Sequence, residues 1–200
     1  MSREKWNQRF REEEYVYGKE PNQFIQQWAA QLSPGRVLAI AEGEGRNAVY
    51  LASLGHEVTV WDYAEAGLEK AKRLAAEKGV TIKTEQLDLM HAPWEEVQFD
   101  YVICVFGHFE PELRWKTLKG IEQVVKPGGR FLCEVYSVQQ LEYKTGGPPV
   151  EAMLYQPVDF FERFSGWKIK HFFMGEVERE EGRLHRGLSH VIQFYGVKRE

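Results

Sequence analysis

Cysteine is nearly absent from this 200-residue chain, and the two it has, Cys104 and Cys133, fall inside apolar runs with no metal-ligand spacing around them. They read as small buried hydrophobes, and no metal is expected. Positive charge is not in excess either: 26 Lys and Arg stand against 30 Asp and Glu, for a net charge of −4 and a pI near 5.9. No broad basic field is on offer, so a nucleic-acid partner is not expected and a small molecule is. Long hydrophobic runs are missing, which excludes a membrane span and predicts no membrane partner. The opening Met1-Ser2-Arg3-Glu4-Lys5-Trp6 is charged and has no apolar stretch, so no signal peptide is expected and the chain reads as cytoplasmic. Internal repeats, low-complexity tracts and dividing linkers are also lacking, which predicts one domain. With 43% hydrophobic and 14% aromatic residues there is enough apolar surface for a single well-buried core.

What is present is concentrated at Val37-Leu38-Ala39-Ile40-Ala41-Glu42-Gly43-Glu44-Gly45-Arg46-Asn47-Ala48, where an apolar strand runs into a glycine-rich turn that opens a helix. Gly43 and Gly45 lack a Cβ, so the backbone can turn sharply and approach a ligand while free amides at the helix start face it. The pattern Gly-x-Gly-x-x-Ala also fits an NAD site, so downstream residues must decide. Asp62 closes the next apolar run about 20 residues after the first glycine, where a carboxylate can accept both hydroxyls of an adenosine ribose. The competing reading is a cap on the helix predicted from Ala64 to Lys78. Asp88, after a third strand, can take the amino hydrogens of an adenine edge while a neighbouring amide donates to the ring. NAD sites have no such fixed requirement. A chain of 200 residues is also short for a dinucleotide-binding domain plus a separate catalytic domain.

These residues together resemble the class I S-adenosylmethionine-dependent methyltransferases, in particular the small bacterial ones of the tellurite-resistance and thiopurine type. The likeness runs through Tyr17-Gly18-Lys19-Glu20-Pro21-Asn22, Val37 to Ala48, Gly55 to Asp62, Asp88, Phe99 to Ile103, Pro111-Glu112-Leu113-Arg114 and Lys126-Pro127-Gly128-Gly129. It implies a single Rossmann-like, doubly wound α/β sheet of seven strands in the order 3-2-1-4-5-7-6, strand 7 antiparallel. It also implies S-adenosylmethionine as cofactor, held by Tyr17, Glu42, Gly43, Gly45, Arg46, Asn47, Asp62, Tyr63, Asp88, Leu89 and Val105. One departure stands out: family members carry an acid at the position of Ala39 and a glycine at that of Ala41. The role of that acid, ordering the glycine loop or reaching the methionyl amino group, passes here to Glu42.

The rest of the chain sorts into alternating elements, predicting a parallel sheet with helices on both faces. Helices are expected from Ser2 to Glu14 and from Pro21 to Leu32, with residues 1–35 serving as a lid. The core, 36–136, is read as strand Arg36–Ala41, helix Arg46–Leu54, strand His56–Trp61, helix Ala64–Lys78, strand Val80–Glu85, strand Asp100–Phe106, helix Glu110–Val125 and strand Arg130–Tyr136. In 137–200 the pattern changes to a short helix, Pro157–Phe164, and two strands, Trp167–Glu178 and Leu188–Lys198. Glu180-Glu181-Gly182-Arg183 is the expected hairpin tip.

Methyl transfer needs alignment and desolvation more than acid–base chemistry, since the reactive carbon sits on a positive sulfonium. His108 follows the fourth strand, where it either takes a proton from the acceptor or hydrogen-bonds the loop backbone. Tyr136 and Glu134 share one face at the end of the fifth strand and are candidates for the acceptor cavity. Arg186, in His185-Arg186-Gly187, either brings a cation to an anionic acceptor or lies solvated at the hairpin tip. Trp6 and Phe10, at i and i+4, form with Tyr17 either a lid or the packed stripe of a helix. The acceptor is expected to be a small molecule, a thiol or chalcogen oxyanion among the options. An NAD-dependent oxidoreductase and a non-catalytic cofactor-binding protein are the alternatives.

Overall fold

The computed structural model describes residues 2–95 and 98–200. In chain order these form α1 (Arg3–Phe10), α2 (Gln23–Ala29), β1 (Arg36–Ile40), α3 (Arg46–Ser53), β2 (Glu57–Asp62), α4 (Glu65–Glu77), β3 (Lys83–Gln86), β4 (Phe99–Val105), α5 (Pro111–Val124), β5 (Val125–Tyr136), α6 (Gln140–Tyr143), α7 (Pro157–Arg163), β6 (Lys168–Glu181) and β7 (His185–Val197). The strands make one sheet in the order β3-β2-β1-β4-β5-β7-β6. β1 pairs parallel with β2 and β4, and β4 with β5, whereas β7 runs antiparallel to both β5 and β6. The implied strand order and the antiparallel terminal hairpin are thus present.

Central parallel strands are buried on both faces, which is why β1 reads as an unbroken apolar run rather than an alternating one. Its residues nonetheless divide by period two. Leu38 and Ile40 join Phe131, Cys133, Phe160 and Phe194 on one side, while Val37 and Ala39 join Phe24, Ile25, Leu51, Leu68 and Tyr195 on the other. Cys104 and Cys133 are register neighbours on β4 and β5, both free and buried. Burial pushes the Cys133 thiol well above its ordinary value.

Several boundaries differ from the sequence expectation, each for a local reason. α1 stops at Phe10, because Arg11 onward turns to bring Val16 and Tyr17 onto the glycine loop. α2 starts at Gln23, with the Asn22 side chain capping it through the Ile25 amide, so Pro21 lies outside the helix. β3 begins at Lys83, where pairing with Thr59 starts. β5 reaches back to Val125, which pairs with Phe99 across a register shift. The hairpin strands are longer than expected, Glu181 pairing with His185, so the turn is Gly182-Arg183-Leu184 and His185-Arg186-Gly187 belongs to β7.

β1, β2, β4 and β5 end at one edge of the sheet, and the loops that follow them meet there. In open α/β sheets that edge is where ligands bind.

Candidate active site

The turn after β1 holds three left-handed residues, Ala41 (φ 50°), Gly43 (φ 59°) and Gly45 (φ 86°). Glu42 is buried within it and accepts from the Asn47 amide (2.8 Å), the Ala48 amide (2.9 Å) and the Asn47 side chain (3.3 Å). It therefore orders the loop by capping the exposed amides of α3, while burial pushes its carboxyl pKa up. Asp62 reaches the same turn: Oδ2 accepts from the Gly43 amide at 2.9 Å and Oδ1 from the Ala64 amide at 2.8 Å. Burial raises its pKa against these bonds. Asp62 thus ties the glycine loop to the start of α4, more than the simple helix cap of the alternative reading. The two glycines differ in role. A Cβ at Gly43 would lie 2.9 Å from the Phe10 ring on the cleft side, whereas one at Gly45 would lie 2.5 Å from the Ala71 Cβ. Gly45 lets α3 and α4 pack and does not line the cleft.

A cleft of about 1120 Å³ opens over this edge. Tyr17, Glu42, Gly43, Arg46, Asn47, Asp62, Tyr63, Asp88, Leu89 and Val105 all line it, as do His108, Tyr136, Trp6, Phe10 and Arg186. Asp88 is exposed and its Oδ1 takes the Met90 amide at 2.9 Å, opening a 3₁₀ turn over Leu89–His91. Burial and the nearby Asp62 and Asp88 push the Tyr63 phenol up to about 12.

Glu134 does not line the cleft. It is fully buried beneath it, 2.5 Å from Arg179 and bonded by Asn22 (2.6 Å) and Gln193 (2.5 Å). Glu181 joins Arg179 (2.8 Å) to Arg46 (2.7 Å), so two arginines and two glutamates form a neutral buried quartet. Arg46 is thereby committed to the hairpin, and Asn47 holds the Asn22 amide at 2.8 Å. These partners lie too far apart in sequence for spacing to reveal them.

On the other side of Gly45, Glu44 accepts from the Val16 and Tyr17 amides, both at 3.2 Å, and pairs with Lys70 at 2.7 Å. Lys70 also donates to the Glu14 carbonyl at 2.5 Å. The N-terminal segment is bolted to the glycine loop by these bonds. It carries an aromatic cluster over the cleft: Trp6 stacks on Phe10 at 5.3 Å, and Tyr17 lies 6.4 Å from each. Arg9 donates to the Tyr17 hydroxyl at 3.0 Å.

The rings continue into the far end of the cleft. Tyr17 and Phe106 flank His185 at 4.6 and 4.3 Å, and Phe106 stacks on Tyr136 at 4.6 Å. Phe106 holds a left-handed backbone (φ 54°) at the end of β4, a strained conformation that aims its ring inward. Sequence reading missed His185 as a pocket residue because it was assigned to a solvated tip. It is buried, its Nδ1 has no hydrogen-bond partner among the described residues, and burial with the adjacent Arg46 and Arg179 holds its pKa well below normal. Arg186 is exposed at the mouth, 3.7 Å from Glu180. Burial raises the Tyr136 phenol, which stays protonated near neutral pH under the Gly146–Gly147 loop.

His108 shows the backbone-bonding arrangement. Nδ1 lies 3.1 Å from the Met153 carbonyl, to which it donates, and Nε2 accepts from the Tyr136 amide at 3.3 Å. Neither nitrogen is left to take a proton from an acceptor, which corrects the general-base expectation. Burial lowers the ring from 6.5 to about 4. Between those values the unfolded chain binds a proton that the native ring refuses, so stability falls as pH drops from 6.5 towards 4, by about 3 kcal/mol. Replacing His108 with Leu should remove its share of that pH dependence and leave the share of His185 and His56, whose rings burial also depresses, as measured by urea unfolding at about pH 7 and about pH 4.5. An unchanged slope would show that His108 titrates normally.

Comparisons with known proteins bear on this geometry. Residues 37–129 match the methyltransferase-domain family. Over 102 residues the chain is 31% identical to demethylmenaquinone methyltransferase of Deinococcus radiodurans, covering 50% of this chain and 42% of that protein. Over 161 residues it is 25% identical to a Haemophilus influenzae protein named "Probable S-adenosyl-L-methionine-dependent methyltransferase TehB", covering 78% and 52%. The chain spans about half the length of these relatives. The crystal structure of TehB from Haemophilus influenzae superposes with a TM-score of 0.73 at 20% identity, over 90% of this chain and 63% of that one.

Proposed function

Because the chain belongs to the class I S-adenosylmethionine-dependent methyltransferases, we propose that its cleft binds S-adenosylmethionine and delivers the methyl group to a small acceptor held against Phe106, Tyr136 and His185. The residues present fit that cofactor. Gly43 presents bare backbone at a left-handed turn, and the cleft of about 1120 Å³ exceeds the roughly 300–1,000 Å³ of an ordinary single-ligand pocket. In this reading Asp62 receives the ribose hydroxyls, Asp88 the adenine amino group, and Tyr63, Leu89 and Val105 the adenine faces. Tyr17, Arg46 and Asn47 surround the methionyl end, beside the loop that Glu42 orders. When bound, the cofactor would supply a methyl group on a positive sulfonium, which an acceptor's lone pair could take as the electrons of the C–S bond return to sulfur.

The chain's own residues then have two tasks, excluding water and aligning the acceptor. Trp6, Phe10 and Tyr17 form the lid for the first, and the rings of Phe106, Tyr136 and His185 the walls for the second. With both His108 nitrogens occupied, an acceptor that arrives already ionised is favoured. Arg9, Lys144, Arg183 and Arg186 line the cleft and would attract an anion, although the whole chain is acidic. A thiolate or a chalcogen oxyanion meets both conditions. The observation that carries the reading is the Gly43–Asp62 bond, which sets a carboxylate and bare backbone side by side in the cleft. A turnover screen with thiols, selenite, tellurite, small amines and phenols, read as S-adenosylhomocysteine, tests it. Product is expected with the soft anionic acceptors; cofactor binding without product from any acceptor would reject the transfer.

A further inference from the structure

We propose that two copies of this chain associate by antiparallel pairing of their β6 strands, joining the two seven-stranded sheets into one. β6 is the last strand of the sheet. Among the described residues, no backbone hydrogen bond leaves its outer edge between Lys168 and Glu178. Such an edge is a template for another strand.

The edge has a charge order that selects its own copy. Lys168 and Lys170 stand at one end, Phe172, Phe173 and Met174 in the middle, and Glu176 and Glu178 at the other. A two-fold antiparallel pairing centred on Phe173 sets Lys168 of one copy opposite Glu178 of the second and Lys170 opposite Glu176. Every basic position then faces an acidic one, twice over. Parallel pairing would set like charges together, and like charges directly opposite are destabilising. Among the described residues, the two lysines and Glu178 have no ion pair. Glu176 takes one neutral hydrogen bond, from the Tyr143 hydroxyl.

Apolar surface continues the edge. Phe173 is 36% exposed, and on α7 the Phe161 ring (43%) lies 4.5 Å from Phe172 in a tilted contact, with Val158 (48%) on the same helix. The same two-fold brings α7 of each copy towards its mate, so these side chains would be covered together. The register of β6 against β7 shifts between Ile169 and His171, which bends the strand at its basic end. None of these residues lines the active-site cleft, so the association leaves it open.

Sedimentation of the full chain tests this. Wild type should sediment at about twice 23.3 kDa when present at tens of micromolar, the range expected of a modest interface. Lys168→Glu with Lys170→Glu should make it monomeric, as should Glu176→Lys with Glu178→Lys, each weakening the dimer by about 100-fold. Mixing the two variants should restore dimers, because an acidic strand then meets a basic one; that recovery also shows that both are folded. A monomeric wild type, dimers indifferent to the reversals, or a mixture that stays monomeric would each overturn the proposal.

Discussion

Gly43→Val is expected to abolish measurable S-adenosylmethionine binding while leaving the sheet folded. Gly43 has φ 59°, and its amide is the donor held by Asp62 at 2.9 Å. A β-branched residue at that φ is strained by roughly 1–3 kcal/mol. Its Cβ would also lie 2.9 Å from the Phe10 ring, on the side of the turn that faces the cleft. Relieving one defect displaces the loop and the other remains, so affinity should fall by about 100-fold or more, the equivalent of some 3 kcal/mol. Adding Phe10→Ala separates the causes. It removes the ring contact but neither the backbone strain nor the side chain in the ligand's space, so the double variant should still fail to bind. Calorimetric titration with circular dichroism as the folding control decides it, and a normal dissociation constant in a folded Gly43→Val protein would remove this turn from the site.

Glu44→Ala should cost about 3–5 kcal/mol of stability, the scale for stripping one partner from a buried ion pair. Lys70 is 1% exposed and would be left, among the described residues, with the Glu14 carbonyl and the face of the Tyr15 ring. The Val16 and Tyr17 amides would lose their acceptor as well. Removing both charges, as Glu44→Gln with Lys70→Met, should cost less than Glu44→Ala alone, because no uncompensated ion is left behind. Urea unfolding of the three proteins measures this. A single variant as stable as wild type, or a double variant that costs as much as Glu44→Ala or more, would show that the pair is hydrated and does not bolt the segment down.

The parallel core was legible because buried strands announce themselves as apolar runs, and Gly43, Gly45 and Asp62 stand at fixed spacings along one local stretch. The terminal hairpin was legible in kind but not in register. Its strands run through Glu180-Glu181 and His185, which look like tip residues until Arg179 and Glu181 are seen buried against Glu134, Asn22 and Arg46. Period-two alternation puts Glu134 on the face of Tyr136, yet it cannot tell that the position one pleat deeper is sealed by Arg179, Asn22 and Gln193 from three distant segments. His108 was placed correctly after β4, and its chemistry was still undecidable, because the partners of its two nitrogens come from Met153 and from the backbone of Tyr136. Glu42 and Asp88 are the exceptions among the site's acids, since their backbone-amide donors lie within six residues.

In the proposed reading this edge of the sheet holds an adenosine-bearing sulfonium cofactor, with Asp62 at the ribose. Equilibrium titration of the purified chain with S-adenosylmethionine, S-adenosylhomocysteine and NAD measures that most directly. Saturable binding of one S-adenosylmethionine and of one S-adenosylhomocysteine per chain is predicted, no binding of NAD, and a loss of roughly 1.5–3 kcal/mol for both ligands in Asp62→Ala. Binding of NAD in preference to both, or full affinity without the Asp62 carboxylate, would contradict the account.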